Sequence, residues 1–156
     1  MTWVGGNTTE VTTTSTTVVD LIAVSSLSIG ASIPFLVILV FRTTAGAIAD
    51  AFLGFKINTT VVMSAAVGGI SNTGANQAES GQVIFNGRGT ADPYLRVGGA
   101  IYGMGGGTTQ IGLQIGPDNA NFPTAPLTDI VSLGVVSNAA ISLGSDEMHV
   151  YTQATS

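Results

Sequence analysis

Apolar and polar residues along this chain alternate with a period of two far more often than they recur at helical spacing. That is the pattern of strands with one face in a core. Residues 16–24 are rich in β-branched side chains and set Val18, Ile22 and Val24 on one side, with Asp20 among them. Residues 35–41 are apolar at every position, as in a strand covered on both faces. Leu53, Phe55, Ile57, Thr59 and Val61 alternate with Gly54, Lys56, Asn58 and Thr60, which predicts one half-buried strand over 53–61. Further strands are predicted at 83–88, 94–102, 110–115, 130–136 and 147–152. Turn chemistry separates many of them: Asn72-Thr73-Gly74, Asn86-Gly87, Asp92-Pro93, Gly105-Gly106-Gly107 and Pro117-Asp118-Asn119.

About eight short strands with such links predict an all-β fold, an antiparallel β-sandwich of jelly-roll type. Residues 44–52, rich in Ala, suit a short helix or a loop between strands. Residues 64–80, rich in Ala, Gly, Ser and Asn, have no period and are expected as a long surface excursion. Residues 1–15 are polar and Thr-rich, with Trp3 as their one large anchor. The expected organisation is an extended N-terminal arm over 1–15 and one β-sandwich domain over 16–156.

Composition narrows the partners. Of 156 residues only 8% are charged, against about a quarter in an average globular chain. Four cations and a net charge of −5 cannot displace the counterions of DNA or RNA, so nucleic acid is excluded as the main partner. No Cys is present, which removes disulfides, thiol nucleophiles and Cys-ligated zinc. Residues 21–41 carry no charge, yet Ser25, Ser26, Ser28, Gly30, Ser32 and Pro34 interrupt them, so no membrane-spanning helix is expected. The first residues lack a basic and an apolar region, so no signal peptide is expected, and Asn7 and Asn58 in their Asn-x-Thr contexts have no reason to be glycosylated.

No motif starts a catalytic mechanism. His149, the one histidine, is expected on an exposed sheet face beside Glu147 and Tyr151, without a nucleophile tied to it. Asp118-Asn119-Ala120-Asn121 lacks the spacing and the closing Glu of a calcium loop and suits a turn. The glycines of Gly103-Met104-Gly105-Gly106-Gly107 precede a predicted strand, so a hairpin loop fits better than a phosphate cradle. Lys56, Arg88 and Arg96 fall at outward strand positions, where they would discourage edge pairing, and Arg42 is expected to meet one of the acids. No enzyme activity, cofactor or metal is expected. The candidate partner-binding residues are Trp3 and Val4, the bulky apolar pair of the polar arm.

In order and texture the chain resembles the small β-sandwich structural proteins of tailed-bacteriophage virions, which include head decoration (cement) proteins and the tips of tail fibres or spikes. The resemblance lies in Thr17-Val18-Val19-Asp20-Leu21, Ile33-Pro34-Phe35, Phe41-Arg42-Thr43, Leu53-Gly54-Phe55-Lys56-Ile57-Asn58, Ile141-Ser142-Leu143 and Asp146-Glu147-Met148-His149-Val150-Tyr151. It covers most of residues 16–152 by pattern and supplies no catalytic motif to carry over. It implies a homotrimer on the outer surface of the capsid, made in the host cytoplasm and bound to the major capsid protein. A tail-fibre tip that binds a receptor or glycan is the alternative it implies. A secreted adhesin or filament subunit is a third expectation, which the missing signal peptide weakens.

Overall fold

The computed structural model describes residues 1–30, 33–44, 49–72, 79–88, 98–105 and 126–153. They form strands β1 (Thr2–Asn7), β2 (Val11–Thr13), β3 (Val19–Val24), β4 (Pro34–Thr43), β5 (Ala49–Ile57), β6 (Thr60–Asn72), β7 (Glu79–Arg88), β8 (Gly98–Gly105), β9 (Ile130–Val136) and β10 (Leu143–Thr152). One sheet runs β1–β10–β4–β7–β8, with β2 also on β10, and the other runs β3–β9–β5–β6. Every pairing between these strands is antiparallel. If β1 and β2 are taken as one place and β8 as an added edge, eight places remain. The chain changes sheet at β2–β3, β3–β4 and β4–β5, turns a hairpin at β5–β6, and changes sheet again to reach β7, β9 and β10. That order is a jelly roll.

Alternation builds the core. On β4, Phe35, Val37, Leu39 and Phe41 are fully buried, and Ala51, Leu53, Phe55 and Ile57 of β5 are buried from the other sheet. Each large side chain removed from water in this way contributes about 1.5–3 kcal/mol. The opposite face of β4 is not covered as expected: Leu36, Ile38 and Val40 are half-buried and Arg42 is exposed. Beside them on β10 lie Tyr151, His149 and Glu147, opposite Leu36, Ile38 and Val40 in the ladder.

The alternation expected across residues 16–24 is interrupted, because the β3–β9 register shifts between Asp20 and Ala23 and both Leu21 and Ile22 are buried. The strand expected over 53–61 is divided. Ile57 pairs with Thr60 across a two-residue turn, and Asn58 takes φ 52°, a left-handed conformation that Asn tolerates. Its side-chain Oδ1 accepts bonds from the Thr128 amide at 2.8 Å and the Asp129 amide at 3.3 Å, which ties the turn to the entry of β9. The surface excursion expected over 64–80 is largely strand: residues up to 72 extend β6 against β5, and β7 starts at Glu79. Pairing of backbone groups needs no apolar pattern, so small residues serve as well as large ones there. The helix-or-loop alternative for 44–52 ends in strand from Ala49 onward. The predicted strand at 110–115, the Asp118–Asn121 turn, Arg96 and the glycines 106–107 lie outside the described residues.

The extended arm, residues 1–15, does not stand apart from the sandwich. Its strands β1 and β2 run antiparallel along β10, Thr2 opposite Thr152 at one end and Thr13 opposite Leu143 at the other. Val11 packs against the core, and the Asn7 side-chain amide donates to the Ala23 carbonyl at 2.9 Å. Among the described residues no helix is long and apolar enough to cross a membrane.

Candidate functional site

The two candidate residues, Trp3 and Val4, fall at an irregularity of β1. The register with β10 shifts between Trp3 and Gly5, so Trp3 sits opposite Tyr151 while Gly5 and Gly6 sit opposite Val150 and His149. A bulge of this kind aims neighbouring side chains in different directions. Trp3 is 57% exposed and Val4 39%. Trp3 shares its face with Tyr151 and His149. Val4 instead lines a cleft of about 380 Å³ at the end of the sandwich, with Thr2, Ser28, Ile29, Gly30, Ile33, Thr152 and Gln153. That lining holds hydroxyl, amide and aliphatic groups and no titratable side chain, so the cleft offers shape and neutral hydrogen bonds rather than acid–base chemistry.

Two glycines let β1 sit this close. A Cβ on Gly5 would stand 2.9 Å from Leu27 and Val24 side-chain atoms, so Gly5 rests directly on the core. A Cβ on Gly6 would stand 2.8 Å from His149 Nδ1 and 3.3 Å from Trp3 Nε1. The indole and the imidazole therefore both lean over the bare backbone of Gly6. On the far side of the imidazole, His149 Nε2 lies 3.4 Å from Glu147 Oε2. The expected sharing of one face by Glu147, His149 and Tyr151 is thus realised, with Met148 and Val150 buried between them. A histidine–carboxylate pair activates a nucleophile through its second ring nitrogen, and here that nitrogen covers Gly6. The pair presents a donor and an acceptor at the surface.

Electrostatics elsewhere serve the framework. Arg42 pairs with both Glu10 and Asp146, joining β4, β10 and the segment before β2. Those two acids, Glu10 first, raise the pKa of the guanidinium further above its ordinary value. Lys56 Nζ lies 2.5 Å from Asp20 Oδ2. Asp20 is opposite Leu133 and Lys56 is opposite Val131, so this pair reaches across β9 and lays the lysine stem along its outer face. The edge-guarding role expected for Lys56 and Arg88 does not hold, because β5 and β7 are both interior strands. At the end of the sandwich, hydrogen bonds from Thr128 and then Ser25 hold the Asp129 carboxyl below the usual carboxylate range, with burial opposing. Among the described residues no group of three His, Asp or Glu side chains could hold a metal ion.

Sequence reasoning named Trp3 and Val4 from composition and grouped His149 with Glu147 and Tyr151 from alternation. It missed that the two sets meet, because the β1–β10 pairing joins opposite ends of the chain. It also missed Gly6 and Asn58, whose roles depend on contacts with residues far along the sequence.

No family model matches the chain, and no curated protein matches it. Among solved structures, a legume lectin-like domain from Entamoeba histolytica aligns at TM-score 0.37 and 10% identity, over 94% of this chain and 91% of that one. The CBM2 module of the evolved Dit of Lactobacillus casei BL23 phage J-1 aligns at TM-score 0.34 and 6% identity, over 86% and 70%. The carbohydrate recognition domain of Emp46p aligns at TM-score 0.33 and 8% identity, over 86% and 87%. The chain is a two-sheet antiparallel β-sandwich on the strength of its own strand order and register.

Proposed function

We propose that this chain is a non-enzymatic structural protein of a bacteriophage virion, a decoration (cement) protein that binds the outside of the major capsid protein shell as a homotrimer. The observation that carries the proposal is the edge strand β1, which displays Trp3 and Val4 to solvent on a chain with very few charges. Exposed Trp is a favoured anchor of protein interfaces, and an edge strand can also add to a neighbour's sheet. Many weak copies on a repeating lattice reach high overall strength through multivalency. A jelly roll in which β1 is paired onto β10 suits a part that must stay folded outside a particle.

Removing residues 2–15 would strip the edge of the larger sheet, so point substitutions make the cleaner experiment. Trp3→Ser and Val4→Asp, each assembled onto particles, are expected to lower the number of copies retained on purified heads. Full occupancy by both variants would overturn the proposal. The trimer is checked separately by sedimentation velocity, where a monomer at all concentrations counts against it. A second reading, a tail-fibre or spike tip that binds a receptor or glycan, is favoured by one observation: Trp3 shares its face with Tyr151, His149 and Glu147. Copy number separates the two, since decoration covers the shell and a tip is confined to the tail.

A further inference from the structure

Trp3, Tyr151, His149 and Glu147 lie on one sheet face, in an order set by two strands, with Trp3 exposed and Glu147, His149 and Tyr151 half-buried. Trp3 is opposite Tyr151, and Gly6, opposite His149, has no side chain, so the indole Nε1 and the imidazole Nδ1 both lie close over its backbone. His149 then stands beside Glu147, with Nε2 and Oε2 3.4 Å apart. Beyond them on β4 lie Leu36, Ile38 and Val40, opposite Tyr151, His149 and Glu147 respectively.

From this juxtaposition we infer that the β1–β10 surface binds a neutral pyranose of a glycan, stacked on Trp3 and hydrogen-bonded by the His149–Glu147 pair. A pyranose ring has a face of C–H groups and a rim of hydroxyls, each both donor and acceptor. The exposed indole matches the first, since an aromatic side chain offers a large flat apolar surface with little conformational freedom to lose. The adjacent imidazole nitrogen and carboxylate oxygen match the second, because neighbouring ring hydroxyls need paired partners at that kind of spacing. Hydrogen bonds to an ionised acceptor are stronger than neutral ones, so Glu147 would fix the orientation of the sugar.

Charge decides the class. The carboxylate of Glu147 and a net charge of −5 repel sialic and uronic acids, which leaves neutral hexoses and N-acetylhexosamines. A second copy of this chain is the competing occupant of such a face, but His149 and Glu147 would then need partners of their own across the interface. Small hydroxyl-rich molecules meet that demand directly. The inference deepens the tip reading, and its test uses purified protein alone, so a failure here leaves the particle-occupancy experiment untouched.

The chain has one Trp and three Tyr, so intrinsic emission excited at the red edge, beyond tyrosine absorption, reports on Trp3. The probes are neutral oligosaccharides built on glucose, galactose, mannose or N-acetylglucosamine, with sialyllactose as the anionic comparison. At least one neutral probe is expected to shift the emission saturably, while sialyllactose does not. Glu147→Gln should weaken that binding about tenfold, the loss of one hydrogen bond to a charged acceptor. Trp3→Ala should abolish saturation-transfer NMR signals on the sugar, with thermal melts of both variants matching the parent. An unmoved emission with every neutral probe would overturn the inference. So would binding that both variants retain in full, or emission that tracks protein concentration alone, which would assign the face to a second copy.

Discussion

Gly134 offers the sharpest test of how the two sheets meet. It sits in β9, between Val19 of β3 and Leu53 of β5, and its α-carbon faces the sandwich interior. A Cβ there would stand 2.5 Å from Leu21 Cδ1, 3.0 Å from Leu143 Cδ2 and 3.2 Å from Leu21 Cγ. Leu21 and Leu143 are both buried, so neither can swing into solvent to make room. Overpacking by one methyl in such a place costs about 1–3 kcal/mol. Its backbone φ is not positive, so alanine also stiffens the unfolded chain, which returns about 0.4–1 kcal/mol. Gly134→Ala is therefore expected to lose about 1–2 kcal/mol net, a Tm lower by about 3–6 °C for a chain of this length. Gly144 supplies the control: its nearest obstacles are side-chain atoms of Thr12 and Arg42 at 3.3 and 3.4 Å, on residues that are exposed and can give way. Gly144→Ala should melt within a degree or two of the parent. Urea unfolding by circular dichroism, at one protein concentration so that association cannot shift the midpoint, measures both. A Gly134→Ala protein as stable as the parent would refute close contact between β9 and the leucines of β3 and β10.

Three further outcomes are expected. The folded state favours ionised Asp129, so its contribution is complete above the unfolded carboxylate pKa and is lost as pH falls through the lower folded one; Asp129→Asn should flatten the acid limb of the stability curve below about pH 4, and superimposable curves would contradict this. Arg42→Ala should leave global unfolding nearly unchanged yet speed amide exchange of Val11–Thr13 several-fold, because its pairs to Glu10 and Asp146 are exposed and act locally; unaltered exchange would remove Arg42 as the tie on β2. The buried hydroxyls of Ser132 and Ser145 lie 3.3 Å apart, so each single alanine should cost about 1 kcal/mol and the double variant less than the sum, whereas strict additivity would show that they are independent.

The strands legible in advance were those with a solvent side and a core side, or an unbroken apolar run. Residues 35–41, 130–136 and 147–152 announced themselves because burial on at least one face demands apolar residues at fixed intervals. Three features were hidden, each for a nonlocal reason. Alternation continues through Asn58 and Thr59 into Val61, and the turn exists because residues 126–129 bond to the Asn58 side chain. The Gly- and Ala-rich half of β6 has no pattern to read, and strand pairing such as it makes with β5 joins backbone groups, which every residue type supplies. The arm lies on β10, a partner more than a hundred residues away in the sequence, and pairing at that distance leaves no local mark. The candidate site divides in the same way. Trp3 and Val4 stood out as bulky apolar residues in a polar stretch, and their neighbours became visible only with the register.

The scarcity of charge also acquires a structural meaning from where the charges sit. Arg42 and Lys56, the cations whose side chains are described, are each held by acids of this same chain. Neither is free to recruit an anionic partner, so a partner of the described surface meets chiefly neutral polar groups, a few acids and exposed apolar residues such as Trp3, Val4, Val18 and Val61. An interface of that kind should be largely indifferent to ionic strength, because little of its free energy comes from charges that salt can screen. The hold on β2 is the opposite case, since it depends on exposed ion pairs. Raising salt should therefore loosen the arm near Glu10 while leaving contacts made through Trp3 and Val4 in place. A partner whose binding fell steeply with salt would have to be engaging something other than this face.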